Sequence, residues 1–334
     1  MRGISKLGVA AVALAAGVLS ANTGHALIDD PYTSYTQPAN ALVMPFDVSE
    51  DSKESYLLVS NVSGVSVIPG GGANLGVTTH WAFWSETCDH LADFYVCLTL
   101  NDTVVIDPRD TGAIDVGNQR IGPDIDLSGN RGLVVVTAYE TDEICSDSSV
   151  LGDVPVDDAL VGSFTLADTS TSASYGNDAI GLGLDFLGNF TELPEIDINA
   201  IDIQLFNPND LDDSDVILLS LIEQSGNGST ADVEVGPNAS AVTAAVTLYD
   251  TLEIATSLPD TRIVCTEFTS VIPGEEGSLI PSTIGVDSSG FVRLWNFSPD
   301  IGLETNRFVY AIHGQTLGEF GASLNGKYSV ELFF

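Results

Sequence analysis

Short segments rich in β-branched and aromatic residues recur along the chain, separated by clusters of Gly, Pro, Asn and Asp. Such segments are typical of β-strands, and no stretch of twelve or more residues has the periodicity of an amphipathic helix. Many short strands at this spacing predict antiparallel sandwiches. The ten predicted strands are ESYLLVSNVS, GVTTHWAFW, DTVVID, GLVVVTAYE, DVILLSLIE, AVTAAVTLY, TRIVCTEFT, GFVRLWNF, RFVYAIHG and KYSVELFF.

The predicted fold class is all-β, with two antiparallel β-sandwich modules of Ig-like or jelly-roll-like type. An internal echo supports two modules, because YLLVSNVSG followed by GVTTHWAFW parallels ILLSLIEQSG followed by AVTAAVTLY. Patterning common to all sandwiches is the alternative explanation of this echo. We predict a signal peptide over 1–26, an extended leader over 27–40, a first sandwich over 41–195 and a second over 196–334.

The N-terminus has the three parts of a secretory signal. Arg2 and Lys6 are basic, an apolar run follows, and small residues stand at Gly24 and Ala26. The apolar run has about thirteen residues, fewer than the roughly 20 that span a bilayer. We therefore predict export to the cell exterior, the cell surface or the periplasm, without direct membrane insertion.

The charge balance narrows the range of partners. The chain has 10 basic and 47 acidic residues, for a formal charge of −37. Such a chain repels nucleic acid and anionic membranes. We interpret the charge as a solvated surface that keeps an abundant exported protein soluble, with binding of divalent cations as the alternative.

Four cysteines in an exported chain predict two disulfide bonds. Cys88 and Cys97 flank a predicted hairpin turn, so we expect a bond between them, which leaves Cys145 and Cys265, one in each module. The sequence alone leaves three pairings open. Zinc binding is an alternative, although its ligands lack the close pairing of structural zinc sites. Those ligands would be His80, Cys88, His90 and Cys97.

One segment has the pattern of a calcium-binding loop. Asp124, Asp126 and Ser128 alternate ahead of Asn130, so their oxygens could surround a hard cation such as calcium. The EF-hand pattern is incomplete, because Val135 stands where a bidentate Glu is required. A β-turn rich in Asp, Ser, Gly and Asn is therefore the alternative.

The motifs of common enzymes are absent from the sequence, including Gly-x-Ser-x-Gly, His-Glu-x-x-His and the Gly-rich phosphate loop. Our leading hypothesis is a noncatalytic secreted or cell-surface protein with a structural or adhesive role. It would act in an extracellular matrix or on the surface, as a homo-oligomer or with other surface proteins. The alternative is a module that binds carbohydrate or another small ligand, with Trp84 and Trp295 as stacking platforms. A second alternative is a glycoside hydrolase with two carboxylates.

Several of these segments also resemble a known group of proteins. VTTHWAFWSETCDHLADFYVCLTLNDTVVID, LVGSFTLAD, SYGNDAIGLG and GFVRLWNF are similar to segments of a loose group of secreted bacterial β-sandwich proteins of unknown function. The resemblance covers most of the chain after the signal. It implies export and a β-sandwich architecture, and it carries no activity.

Overall fold

The structure is a computed structural model. It describes residues 38–63, 76–99, 101–115, 120–121, 123–141, 151–155, 158–184, 190–192, 200–207, 211, 213–225, 233–236, 241–284, 289–299, 307–317 and 322–332. The predicted signal peptide, most of the leader and Cys145 lie outside these residues. Within them the regular structure is β-strand without helix, so the predicted all-β class is confirmed. The same ranges contain no helix long and apolar enough to cross a membrane.

The described ranges contain 22 strands. The first group is β1 (Ala41–Asp47), β2 (Lys53–Asn61), β3 (Gly76–Ser85), β4 (His90–Thr99), β5 (Thr103–Asp107), β6 (Asp110–Asp115), β7 (Arg120–Ile121), β8 (Arg131–Thr141), β9 (Leu151–Pro155), β10 (Leu160–Asp168), β11 (Ala173–Asp178), β12 (Ile180–Leu184) and β13 (Phe190–Glu192). The second group is β14 (Ala200–Leu205), β15 (Asp213–Ser225), β16 (Val233–Gly236), β17 (Val242–Asp250), β18 (Ala255–Ile263), β19 (Thr266–Thr269), β20 (Gly290–Pro299), β21 (Arg307–Leu317) and β22 (Ala322–Leu332). Each of the ten predicted segments overlaps a strand, although a bend at Val264 and Cys265 divides TRIVCTEFT between β18 and β19.

Strands β1 to β13 form two antiparallel sheets, which we call the N-terminal repeat. Sheet 1 has the order β13-β12-β1-β8-β3-β4 with β9 paired to β8, and sheet 2 has the order β11-β10-β2-β5-β6-β7. Because side chains alternate along a strand, each sheet turns one apolar face inward. Leu57 and Val59 of sheet 2 and Trp81 and Phe83 of sheet 1 belong to one buried cluster. The two sheets are therefore a sandwich.

Strands β14 to β22 form a second sandwich, which we call the C-terminal repeat. Sheet 3 has the order β14-β20-β17-β18, and sheet 4 has the order β16-β15-β21-β22 with β19 paired to β15. Val246 and Leu294 of sheet 3 share a buried cluster with Val216 and Leu218 of sheet 4. The described sheets of one repeat contain no strand from the other. Tyr35–Phe334 nevertheless forms one compact unit, so a domain division at residue 195 stays a prediction.

The two repeats have the same topology over eight strands. The order β1-β8-β3-β4 in sheet 1 matches β14-β20-β17-β18 in sheet 3. The order β11-β10-β2-β5 in sheet 2 matches β22-β21-β15-β19 in sheet 4. In both repeats the matched strands occur in the same sequence along the chain. The echo found in the sequence therefore coincides with a repeated connectivity.

The matched hairpins β3–β4 and β17–β18 turn in the same way. Ser85 Oγ accepts the N–H groups of Thr87 (3.2 Å) and Asp89 (3.0 Å). In the second hairpin Asp250 Oδ1 accepts the N–H groups of Leu252 (2.8 Å) and Ile254 (2.9 Å). The residue three positions after the side-chain acceptor is left-handed in both turns, with φ of 66° at Cys88 and 61° at Glu253. Cys88 and Glu253 are thus equivalent positions.

One end of the N-terminal repeat packs against the outer face of sheet 4. Ile217 of β15 and Ile312 of β21 belong to the N-terminal core cluster, whereas their neighbour Val216 belongs to the C-terminal one. The ring of Tyr175 in β11 lies against Gly314 so closely that a Cβ at Gly314 would overlap it. Strands β15 and β21 of sheet 4 are therefore covered on both faces, by their own repeat and by the N-terminal repeat.

A disulfide between Cys88 and Cys265 joins the repeats, with a Cα–Cα distance of 5.5 Å. The predicted bond between Cys88 and Cys97 is therefore wrong, as is the pairing of Cys265 with Cys145. Cys88 lies in the β3–β4 turn, whereas Cys97 lies far along β4, opposite Thr78. At about 3.3 Å per residue, the strand separates the two cysteines by about 20 Å, which no disulfide spans.

Cys97 is also disulfide-bonded. Because Cys88 and Cys97 are both oxidised, neither supplies a thiolate, and the zinc alternative does not apply to them.

Candidate functional site

Strand β20 presents an aromatic and charged row on the outer face of sheet 3. Its sequence alternates, so Val292 and Leu294 are fully buried in the core while Phe291, Arg293 and Trp295 point outward. Trp295 is 45% exposed, which is unusual for the largest side chain. The row therefore places an accessible indole beside a cation.

Neighbouring strands complete this row through their register. Tyr249 of β17 pairs with Phe291, and Asp202 of β14 pairs with Arg293. The Phe291 and Tyr249 rings stack with centroids 4.7 Å apart and planes inclined by 12°. We call the group of Asp202, Tyr249, Phe291, Arg293 and Trp295 the Trp295 face.

Trp295 is held in place by its neighbours. Its indole Nε1 donates a 3.0 Å hydrogen bond to Oγ1 of Thr247 on the adjacent strand. Its partners across the sheet, Ala200 and Ala245, are small. The ladder shifts register after Trp295, where Asn296 has a φ of 50°. This β-bulge turns the following residue, Phe297, towards the C-terminal core while Trp295 stays outside.

Arg293 is fixed by a bidentate ion pair. Its Nε and Nη2 donate to the two carboxylate oxygens of Asp202 at 2.7 and 2.6 Å. These hydrogen bonds raise the pKa of Arg293, so the guanidinium remains charged. The guanidinium lies 5.5 Å from the ring centroids of both Tyr249 and Phe291, within cation–π range. The charges of the face are thus paired and its side chains are preorganised.

This arrangement suits a ligand with a flat apolar side and a polar rim. The exposed indole offers an apolar plane, and the Arg293–Asp202 pair offers fixed donors and acceptors next to it. Sugar rings combine such C–H faces with hydroxyl edges. A ring with a C–H face and hydroxyl edges would complement the Trp295 face.

Comparison with known proteins leaves the family open. No protein-family model matches the chain, and no significant match was found among curated proteins. The resemblance to secreted β-sandwich proteins stays a prediction.

The matching face of the N-terminal repeat is different. Leu133, Val135 and Thr137 of β8 occupy the positions of Phe291, Arg293 and Trp295, and each is at most 3% exposed. Trp84, equivalent to Tyr249, is half-buried and makes an edge-to-face contact with His90 at 5.0 Å. Of the two predicted platforms, the structure thus leaves Trp295 accessible and largely covers Trp84.

The predicted calcium loop is a turn tied to the N-terminal core. Asp126 Oδ1 accepts the N–H of Ser128 at 2.8 Å, and hydrogen bonds from Ser128 lower the pKa of Asp126. The Asn130 side chain donates to the backbone oxygen of Leu127, and Asp124 is exposed. Among the described residues, no group of three His, Cys, Asp or Glu side chains is placed to hold a metal ion. Calcium binding by Asp124, Asp126, Ser128 and Asn130 stays a prediction.

A small acidic cavity lies where the repeats meet. Lys53, Asp168, Tyr175, Asp215 and Phe268 are among its lining residues. Lys53 Nζ lies 2.9 Å from Asp168. Burial alone would raise the pKa of Asp168, but hydrogen bonds from Ser170 and Lys53 hold it well below the usual range. Since a glycosidase acid needs a raised pKa, Asp168 does not fit the role of that acid, and its ion pair with Lys53 is a structural contact.

The sequence pointed to Trp295 but missed the other members of its face. The alternation in FVRLWNF places Phe291 and Arg293 on the side of Trp295, and this signal was available. Tyr249 and Asp202 are distant in sequence and join the face only through strand register.

Proposed function

We propose that the protein is a noncatalytic binding protein of the cell exterior that adheres to carbohydrate through the Trp295 face. The observation that carries the proposal is the exposed, hydrogen-bonded Trp295 beside the Arg293–Asp202 pair. The exposed indole offers a partner a large apolar plane, and a fixed indole loses little entropy when a ring stacks on it.

The charge of the protein indicates which carbohydrates are favoured. Arg293 is neutralised by Asp202, and the whole chain carries −37. Sulfated or uronic polymers would be repelled at long range, whereas neutral glycans would not. The ligand class is therefore a neutral polysaccharide or oligosaccharide.

The predicted location agrees with this role. Disulfides persist in oxidising environments, and Cys88–Cys265 joins the two repeats. Together with the signal-like N-terminus, this bond supports secretion or display on the cell surface.

The test is an array of neutral and acidic glycans, followed by titration of the strongest ligand. We expect Trp295→Ala to weaken binding about tenfold or more, because stacking and burial of the indole together contribute at least about 1.4 kcal/mol. Val62→Ala is a matched control, since Val62 is 39% exposed and lies outside the Trp295 face. Failure of the wild type to bind any neutral glycan, or equal binding by Trp295→Ala, would overturn the proposal.

A further inference from the structure

The contact between the two repeats uses a turn of one repeat and a face of the other, and an equivalent turn and face remain on the opposite repeats. Within the chain, the β3–β4 turn reaches the bend before β19 of sheet 4, where Cys88 bonds to Cys265, and the N-terminal repeat covers the outer face of that sheet. Because the repeats share one topology, the C-terminal repeat has the equivalent turn and the N-terminal repeat has the equivalent face. The equivalent turn is β17–β18, and the equivalent face is the outer side of sheet 2.

The ladders between matched strands align the two faces residue by residue. Leu58 pairs with Val105 between β2 and β5, as Ile217 pairs with Phe268 between β15 and β19. Both ladders have four pairs, and in each these residues form the second pair. Leu58 is thus equivalent to Ile217, and Val105 to Phe268.

In the C-terminal repeat this face is covered. Ile217 is fully buried in the N-terminal core cluster, Phe268 packs against that cluster, and Arg131 lies 4.8 Å from the Phe268 ring centroid. In the N-terminal repeat Val105 is 42% exposed and Leu58 is half-buried. The same surface is therefore occupied in one repeat and open in the other.

The free turn carries apolar side chains in a fixed geometry. Leu252 is 76% exposed and Ile254 is 58% exposed, the two highest values among the large hydrophobic residues that the structure describes. Their N–H groups are both bonded to Asp250 Oδ1, so the turn is ordered while its side chains face solvent. These residues replace Thr87 and Asp89 of the docked turn.

We propose that this turn docks on the outer face of sheet 2 of a second copy of the chain. The apolar turn residues Leu252 and Ile254 of one copy would contact Leu58 and Val105 of the next. Docking that repeats the geometry of the contact within the chain is heterologous, because turn and face lie on different repeats, and it leaves one of each free at the ends of a pair. Copies would therefore add head to tail, into open chains or into a ring where the rotation between copies closes.

Charge sets the conditions for this association. Asn61 N–H donates to the Asp102 carbonyl oxygen as Ser220 N–H donates to that of Cys265, so Asp102 is equivalent to Cys265. Glu253 is equivalent to Cys88, and two carboxylates thus stand where the chain itself has a disulfide. Their repulsion weakens docking at low ionic strength and is relieved by salt screening or by a divalent cation.

The test is light scattering and sedimentation of the purified full chain over a concentration series. Samples would be measured in low-salt buffer, in about 0.5 M NaCl, where the Debye length falls to about 4 Å, and in millimolar calcium. We expect concentration-dependent growth beyond a dimer in at least one of the last two buffers. The double variant Leu252→Asp/Ile254→Asp should associate at least about tenfold more weakly, while Trp295→Ala, which changes another face, should associate like the wild type. A wild type that stays monomeric in all three buffers, or a double variant that associates normally, overturns the proposal.

Cross-linking tests the geometry of the contact. Leu252→Cys and Val105→Cys would be made in separate preparations and treated with a short thiol cross-linker. The mixture should give a linked pair in yield well above that of either variant alone. A yield from Leu252→Cys alone that equals the mixture would show a symmetric turn-to-turn contact and refute head-to-tail docking.

Discussion

Removal of the disulfide between the repeats is the most direct test of the fold. The perturbation is the double variant Cys88→Ser/Cys265→Ser, which removes one covalent link and leaves Cys97 oxidised. Both cysteines lie where the β3–β4 turn meets the bend before β19, so serine fits the space of each sulfur. We expect a folded protein with a lower free energy of unfolding.

The size of the loss follows from the length of chain that the bond closes. Cys88 and Cys265 are 177 residues apart. Chain-entropy arguments give a stabilisation of about 5 kcal/mol for such a loop, through its effect on the unfolded state. A bond between Cys88 and Cys97, nine residues apart, would give only about 3 kcal/mol by the same relation. The two pairings therefore predict different magnitudes.

Guanidinium denaturation, followed by fluorescence of the three Trp residues, measures the change. The single variants Cys88→Ser and Cys265→Ser should each lose about as much as the double variant, because all three remove the same bond. Non-reducing peptide mapping of the wild type provides the matched control and should recover the Cys88 peptide linked to that of Cys265. Recovery of Cys88 linked to Cys97, with a loss of about 3 kcal/mol or less, would refute this reasoning.

Three further predictions test the packing. Complete burial lowers the pKa of His313 from 6.5 to about 3, so the unfolded state alone binds this proton as the pH falls from 6.5 towards 3. As the pH falls through this window, the free energy of unfolding of the wild type should therefore decrease by about 1.4 kcal/mol per pH unit more than that of His313→Gln. Denaturant titrations at pH 7 and pH 5 measure this difference, and an equal decrease in the two proteins would contradict the burial. Gly314→Ala should lower the free energy of unfolding by about 1–3 kcal/mol in denaturant titrations, because the new Cβ overlaps the Tyr175 ring. In a Tyr175→Leu background the same substitution should cost less. A Gly314→Ala variant as stable as the wild type would be inconsistent with the close approach. Gly132→Ala and Gly290→Ala should each lower Tm by a similar amount, since a Cβ overlaps the carbonyl oxygen of Trp84 in one repeat and of Tyr249 in the other; a large effect at one position only would argue against their equivalence.

The sequence predicts the strands well because strands are recognised from the local alternation and composition of residues. The alternation in GVTTHWAFW places Trp81 and Phe83 on one side, and both are fully buried. The run GLVVVTAYE is apolar on both sides, and the outer face of β8 is indeed covered in the structure. Local composition is sufficient for such residues because each strand must bury at least one face.

Pairings over long distances escape the same patterns. Cys88 lies next to Cys265 only because one repeat docks on the other. The residues that flank each cysteine in the sequence give no indication of that contact. The exposure of Trp295 and the covering of Trp84 depend in the same way on what lies above each sheet. The similarity between the two halves of the sequence did indicate a feature of the tertiary structure, because the two repeats share one strand order.

The burial of β15 and β21 on both faces also affects how the chain folds during synthesis. Its outer face, with Ile217 and Ile312, is covered by the N-terminal repeat, which leaves the ribosome first. The partner that shields this apolar surface is therefore already synthesised when β15 and β21 appear, and the interval during which the surface is open to aggregation is short. An isolated C-terminal repeat would lack this cover and should aggregate. In the full chain, the N-terminal repeat acts as an intramolecular chaperone because it is synthesised first.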